Sequence, residues 1–216
     1  MMVQVQEFDA RLIGGLDAVH PGRVETPHEL DTRLMLRLRD GESECLDHLL
    51  SRHRPSVVYF LFRMIQNQDV AEELAQEVFL RVYRSRAQYQ ATAKFTTWLY
   101  RIATNLALNW LRDRRYERAN QSLDAVPASG IRRQISDPAP RADHECLKRE
   151  RVNEIRKAVS ELPDRQRAAV LMHKYDGLDY AEIAATLGCS VTAVKAVMFR
   201  AYTTLRERLN HLAEES

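Results

Sequence analysis

The stretch Tyr180–Arg200, YAEIAATLGCSVTAVKAVMFR, constrains the fold more than any other part of the chain, because its small and apolar residues fall where two helices crossing through a tight turn need them. Ala184 is small where the helices approach, Gly188 suits a positive-φ turn position, and Ile183, Leu187, Val194 and Met198 close a shared core. The pattern reads as a helix-turn-helix; an αα-hairpin with no DNA role is the competing reading. Along the second helix, Val191, Val194, Met198, Ala201, Leu205, Leu209 and Leu212 recur at steps of three or four and are expected to form a buried stripe. Thr192, Ala193, Lys195, Ala196, Phe199 and Arg200 are left facing outward near the helix start, the end that a major groove admits. Lys195 and Arg200 can meet phosphates or guanine edges, while Thr192 and the two alanines permit close approach to bases.

Composition narrows the fold class. A hydrophobic fraction of 45% with only 7 Gly and 7 Pro in 216 residues points to an all-α protein of one or two cores, and no apolar run approaches a membrane span, so no membrane insertion is expected. The N-terminus has no basic segment followed by an apolar core, which argues against secretion. Cys45, Cys146 and Cys189 are scattered and odd in number, as suits a reducing cytoplasm. Cys45 and His48 are three apart on one helix, a spacing open to metal ligation, but no second pair at ligand spacing stands beside them; neither a metal nor a cofactor is expected.

Residues 1–28 hold Gly14, Gly15, Pro21, Gly22 and Pro27 without a sustained period and read as an extension. A helical pattern follows to about Trp110, with breaks near Asp40–Gly41, Asn67–Gln68 and Tyr89–Ala93. Pro127, Gly130, Pro138 and Pro140 forbid a continuous helix through the linker, placed at residues 117–145, before helices resume. Two small helical domains result, at residues 29–116 and 146–212.

The net charge of +2 hides a polarised layout. Asp69, Glu72, Glu73 and Glu77 lie together on one helix, DVAEELAQEVFLRVYR, whose Val70, Leu74, Val78 and Val82 are expected to face the core. Farther on, Lys94, Arg101, Arg112, Arg114, Arg115 and Arg118 stand against only Asp113 and Glu117. Both tryptophans, Trp98 and Trp110, fall in this basic segment with Tyr89, Phe95 and Tyr100. Phe95, Leu99, Ile102 and Leu106 can turn inward, leaving Arg101, Asn105 and Asn109 among the outer positions. Interleaved bases, amides and rings are what a surface needs to hold unstacked nucleotides.

Taken together, these segments resemble the extracytoplasmic-function group of bacterial sigma factors. DVAEELAQEVFLRVYR is similar to region 2.2, YQATAKFTTWLYRIATNLALNWLRDRRY to regions 2.3 and 2.4, and ELPDRQRAAVLMHKYDGLDYAEIAATLGCSVTAVKAVMFRAYTTLRERL to region 4, in the family's order. The resemblance implies a promoter-recognition subunit without catalytic activity, bound to core RNA polymerase through the β′ coiled coil and the β flap, and often held by an anti-sigma factor. It implies that Asp69, Glu72, Glu73, Gln76, Glu77, Leu80 and Arg81 dock on the β′ coiled coil. Tyr89, Gln90, Ala91, Thr92, Ala93 and Lys94, with Arg101, Asn105 and Asn109, would capture flipped bases of the −10 element. Thr192, Ala193, Lys195, Ala196, Phe199 and Arg200 would read the −35 element as duplex. The loop reads QATAK where many relatives carry a glycine and an acid, and Val197 stands where a polar or basic residue is common. Two other classes compete: a dimeric helix-turn-helix repressor or activator acting without polymerase, and a metal-dependent helical hydrolase built on Cys45, His48 and His53.

Overall fold

The computed structural model describes residues 26–121 and 143–214, with side chains over residues 26–120 and 149–211. Most of the expected extension at 1–28 and of the expected linker at 117–145 therefore lies outside the described residues, as do the side chains of Cys146 and Leu212. Among the described residues the chain is helical throughout: α1 (Pro27–Arg39), α2 (Glu44–Ile65), α3 (Gln68–Arg84), a 3₁₀ turn (Arg86–Gln88), α4 (Phe95–Gln121), α5 (Asp143–Ser160), α6 (Asp164–Lys174), α7 (Tyr180–Leu187) and α8 (Val191–Glu214).

Local chemistry sets the breaks. Thr26 opens α1 with a capping box in which its amide donates to Glu29 Oε2 at 2.9 Å. Gly41 takes φ 109° after α1. Gln66 ends α2 in the left-handed conformation, its amide donating to the Phe62 carbonyl at 2.7 Å, and Asn67 then caps α3 by accepting from the Val70 amide at 3.1 Å. The expected break near Tyr89–Ala93 runs from Ser85 to Lys94, with the 3₁₀ turn inside it.

In the first unit α2 packs against α1, α3 and α4. The buried face of α3 is rotated from the expected valine–leucine stripe: Ala71, Ala75, Val78, Phe79 and Val82 are buried, while Val70 and Leu74 are only partly covered. Small side chains at 71 and 75 let α2 and α3 approach closely, which a reading weighted toward large apolar residues misses. In the second unit α8 packs against α5, α6 and α7. Apolar residues of both units join in one continuous core. No single helix among the described residues is long and apolar enough to cross a membrane.

Candidate nucleic-acid interface

The helix-turn-helix forms as its sequence requires. Asp179 caps α7 by accepting from the Ala181 and Glu182 amides, each at 2.8 Å, and its own amide donates to Glu182 Oε2 at 2.8 Å. Gly188 takes φ 62° at the end of α7, and the Ala193 amide donates to Ser190 Oγ at 3.1 Å as α8 begins. The two helices bend by 100° at this break. Ile183, Ala184, Leu187, Val194, Met198 and Ala201 are buried. Val191 is not: at the first position of α8 it is 39% exposed, and Leu205 and Leu209 are only half-buried. Thr192, Lys195, Ala196 and Arg200 are exposed, Phe199 is 73% exposed, and Ala193 is partly covered by the turn. The six expected readers thus share one outward region of α8.

On α3, Asp69, Glu73, Gln76, Leu80 and Arg81 are exposed, Leu80 by 48%. Glu72 and Glu77 are partly covered. Arg54 pairs with Glu72, and Arg81 Nε lies 2.7 Å from Glu77 Oε1, leaving Asp69 and Glu73 without an ion-pair partner among the described residues. A cavity of about 250 Å³ lined by Arg54, Pro55, Val58, Tyr59, Phe62, Gln68 and Glu72 opens beside this face.

The loop before α4 stands on an aromatic base. Gln90, Ala91, Thr92, Ala93 and Lys94 are exposed, but Tyr89 is buried, its ring 5.2 Å from Trp98 and 6.4 Å from Phe95. Burial withdraws Tyr89 from the expected contact set and makes it a prop for the loop. Behind Phe95, at 5.3 Å, lies the His53 ring, whose Nε2 is 2.9 Å from Oδ2 of the buried Asp31. Arg52 Nε donates to Asp31 Oδ1 at 2.8 Å. Desolvation alone would raise the Asp31 pKa, but its contacts with His53 and Arg52 outweigh it and hold the carboxyl below the ordinary value. His53 is therefore committed to α1; Cys45 is buried while His48 is exposed, so the residues considered for metal ligation are not gathered.

Along α4, Arg101, Asn105 and Asn109 are exposed at successive turns, while Phe95, Leu99, Ala103, Leu106 and Ala107 are buried and Ile102 is half-buried. A further side of α4 is covered by the second unit. Lys94 Nζ lies 2.8 Å from Glu182 Oε1, Thr186 Oγ1 donates to the Thr97 carbonyl at 3.4 Å, and the Tyr100 hydroxyl donates to Asp176 Oδ1 at 2.5 Å. Arg63 of α2 stacks over Tyr175, 3.6 Å from the ring centroid, and Arg115 pairs with Asp164. Burial raises the Asp176 pKa to about 6, partly offset by Tyr100 and Arg63. Sequence reasoning missed this contact and the Asp31 cluster, because each joins residues far apart in the chain that carry no shared period.

A capped helix-turn-helix with Lys195 and Arg200 exposed on its second helix, joined to a helical bundle bearing an exposed row of Arg101, Asn105 and Asn109 beside a loop, is the architecture of a helix-turn-helix protein. Residues 49–116 match the Sigma-70 region 2 family, and residues 153–205 match the Sigma-70, region 4 family. The chain is 37% identical over 183 residues to RNA polymerase sigma factor CarQ of Myxococcus xanthus, covering 84% of this chain and 98% of that protein. It is 29% identical over 187 residues to the ECF RNA polymerase sigma-E factor of Escherichia coli (strain K12), covering 84% and 95%. Two solved structures share the fold. One is CnrH in complex with the cytosolic domain of CnrY, with TM-score 0.62, 20% identity and coverage of 84% of this chain and 98% of that one. The other is the sigma factor RpoE in complex with the anti-sigma factor NepR from Bartonella quintana, with TM-score 0.58, 21% identity and coverage of 76% and 96%. The chain belongs to the sigma-70 family of RNA polymerase sigma factors, in its extracytoplasmic-function group. It is a transcription initiation factor and not an enzyme: it binds core RNA polymerase and directs it to promoters.

Proposed function

We propose that three surfaces divide the work of initiation. The exposed face of α3, with Asp69, Glu73, Gln76, Leu80 and Arg81 flanked by Glu72 and Glu77, anchors the factor on the β′ coiled coil, and the second unit rests on the β flap. Gln90–Lys94 together with Arg101, Asn105 and Asn109 hold the opened −10 strand. Thr192, Ala193, Lys195, Ala196, Phe199 and Arg200 read the −35 duplex. The factor acts in the cytoplasm and is restrained by an anti-sigma partner.

The observation that carries this reading is the row Arg101, Asn105 and Asn109, exposed at successive turns of a helix whose Ala103, Thr104, Leu106 and Ala107 are buried between them. An amide row beside an exposed loop can hydrogen-bond base edges that a closed duplex does not present. The α3 assignment is tested by reversing charge. Glu73→Lys with Glu77→Lys should weaken holoenzyme formation about tenfold or more while leaving the melting temperature nearly unchanged, since neither residue lies on the buried alanine–valine face. Undiminished co-purification with core polymerase would remove the assignment.

A further inference from the structure

We infer that His53, held by Asp31 of α1, is a positioning residue for reading the −10 strand: it seats Phe95, and through Phe95 it sets the loop Gln90–Lys94 and the row Arg101, Asn105 and Asn109 against each other. The inference rests on reading that loop and row as the −10 surface, and adds the support behind them that decides how well one base is told from another.

The loop is closed at its stem by aromatic rings. Tyr89 precedes it and Phe95 follows it, both buried, with ring centroids 6.4 Å apart; Trp98 lies 5.2 Å from Tyr89 and 6.1 Å from Phe95. Gln90, Ala91, Thr92, Ala93 and Lys94 are exposed between those ends, so the stem, more than their own packing, fixes where they stand. Phe95 is also the first residue of α4, and Arg101 follows on the same helix about 9 Å away at 1.5 Å per residue. Loop and row are therefore set from one point.

Ring contacts alone define that point loosely, because aromatic pairs are satisfied over centroid separations of about 4.5–7 Å. A contact between nitrogen and oxygen is confined to roughly 2.7–3.2 Å. His53 joins the two kinds of contact. Its ring lies 5.3 Å from that of Phe95, its Nε2 lies 2.9 Å from Asp31 Oδ2, and Arg52 Nε donates to the other carboxylate oxygen, Oδ1, at 2.8 Å. Asp31 is buried, so bulk water does not compete for its carboxylate. The same helix, α1, also packs against the 3₁₀ turn that leads into Tyr89. One helix thus braces both ends of the stem.

An amide reading a base edge needs that definition, since a site left about 1 Å too loose by its supporting residues is present yet ineffective. Attraction between a cation and a phosphate falls only slowly with distance and tolerates the same displacement. Loss of the tether therefore removes discrimination between bases and spares sequence-independent binding.

His53→Phe keeps a ring beside Phe95 and removes the atom that meets Asp31. Full-length variants are assembled with core polymerase and titrated with a fork duplex whose single-stranded −10 segment is either the selected sequence or one with a substituted base. The ratio of the two affinities should fall about fivefold or more in His53→Phe, while affinity for the substituted fork and for a −35 duplex stays within about twofold of wild type. Asp31→Asn, which keeps the buried volume, should act in the same way and carries the test if the ring replacement does not fold. The double variant should be no worse than either single one, because both changes remove one tether. A pair that only stabilises the fold would lower the melting temperature and leave the ratio as in wild type. That result, or losses that multiply in the double variant, would overturn the positioning role and leave the −10 assignment standing. A wild-type holoenzyme that makes no distinction between the two forks would remove the −10 reading and the positioning role together.

Discussion

Asp31 shows how one residue outside the matched region supports the site. Its carboxylate is buried at 3% exposure on α1 and is shared between Arg52 and His53, the latter lying against Phe95 at the base of the −10 loop. Removing one member of such a cluster leaves the others buried and unpaired. Because the folded pKa lies below the ordinary aspartate value of 3.8, the stabilisation is fully present above that value and is lost as pH falls through the folded pKa. Asp31→Asn should cost about 1–3 kcal/mol near neutrality, the Arg52 side having access to water. Denaturant unfolding would show that gap shrinking in acid below the ordinary carboxylate range. A gap constant with pH would mean that the charge of Asp31 contributes nothing.

At the scale of elements, α8 divides its faces sharply enough to test base reading apart from folding. Lys195 and Arg200 are exposed and have no ion-pair partner among the described residues, so truncating them leaves no buried group unpaired. Lys195→Ala and Arg200→Ala should leave unfolding unchanged and reduce discrimination on a −35 duplex by about 1–3 kcal/mol wherever the side chain meets a base edge bidentately. A phosphate contact would instead weaken all sequences alike and lower the salt slope by about 1. Titrations against matched and scrambled duplexes separate these outcomes, and no change in either would show that this face is not the reader. The sequence carried the turn of this element, because Gly188 and the apolar steps at Ile183, Leu187, Val194 and Met198 are local signals, whereas Val191, expected in the buried stripe, is exposed. It carried α3 less well. Ala71 and Ala75 define the buried face, yet periodicity read on large side chains settles on Val70 and Leu74.

The whole molecule was legible as two helical units and illegible as an assembly of them. Tyr100 and Asp176 are 76 residues apart and Thr97 and Thr186 are 89 apart, so nothing in either local sequence announces the other. Tyr89 was misplaced for a related reason: an aromatic residue beside a basic loop suits base stacking and core packing equally, and only the neighbouring Trp98 and Phe95 rings decide between them. Arg101 and Asn105 were read correctly as outward, because burial of Ala103, Leu106 and Ala107 on the same helix fixes their direction.

The central claim, that this factor delivers polymerase to a promoter and holds the opened −10 strand through α4, is tested most directly by permanganate footprinting of a selected promoter with core polymerase. Wild-type protein should expose reactive thymines at the −10 element. Asn105→Ala should retain polymerase binding and the closed complex while giving roughly tenfold less opening, and a pre-melted bubble should restore this only in part because the base contact itself is gone. Opening of no promoter by the wild-type protein, together with tight binding of a palindromic duplex in the absence of polymerase, would contradict this role.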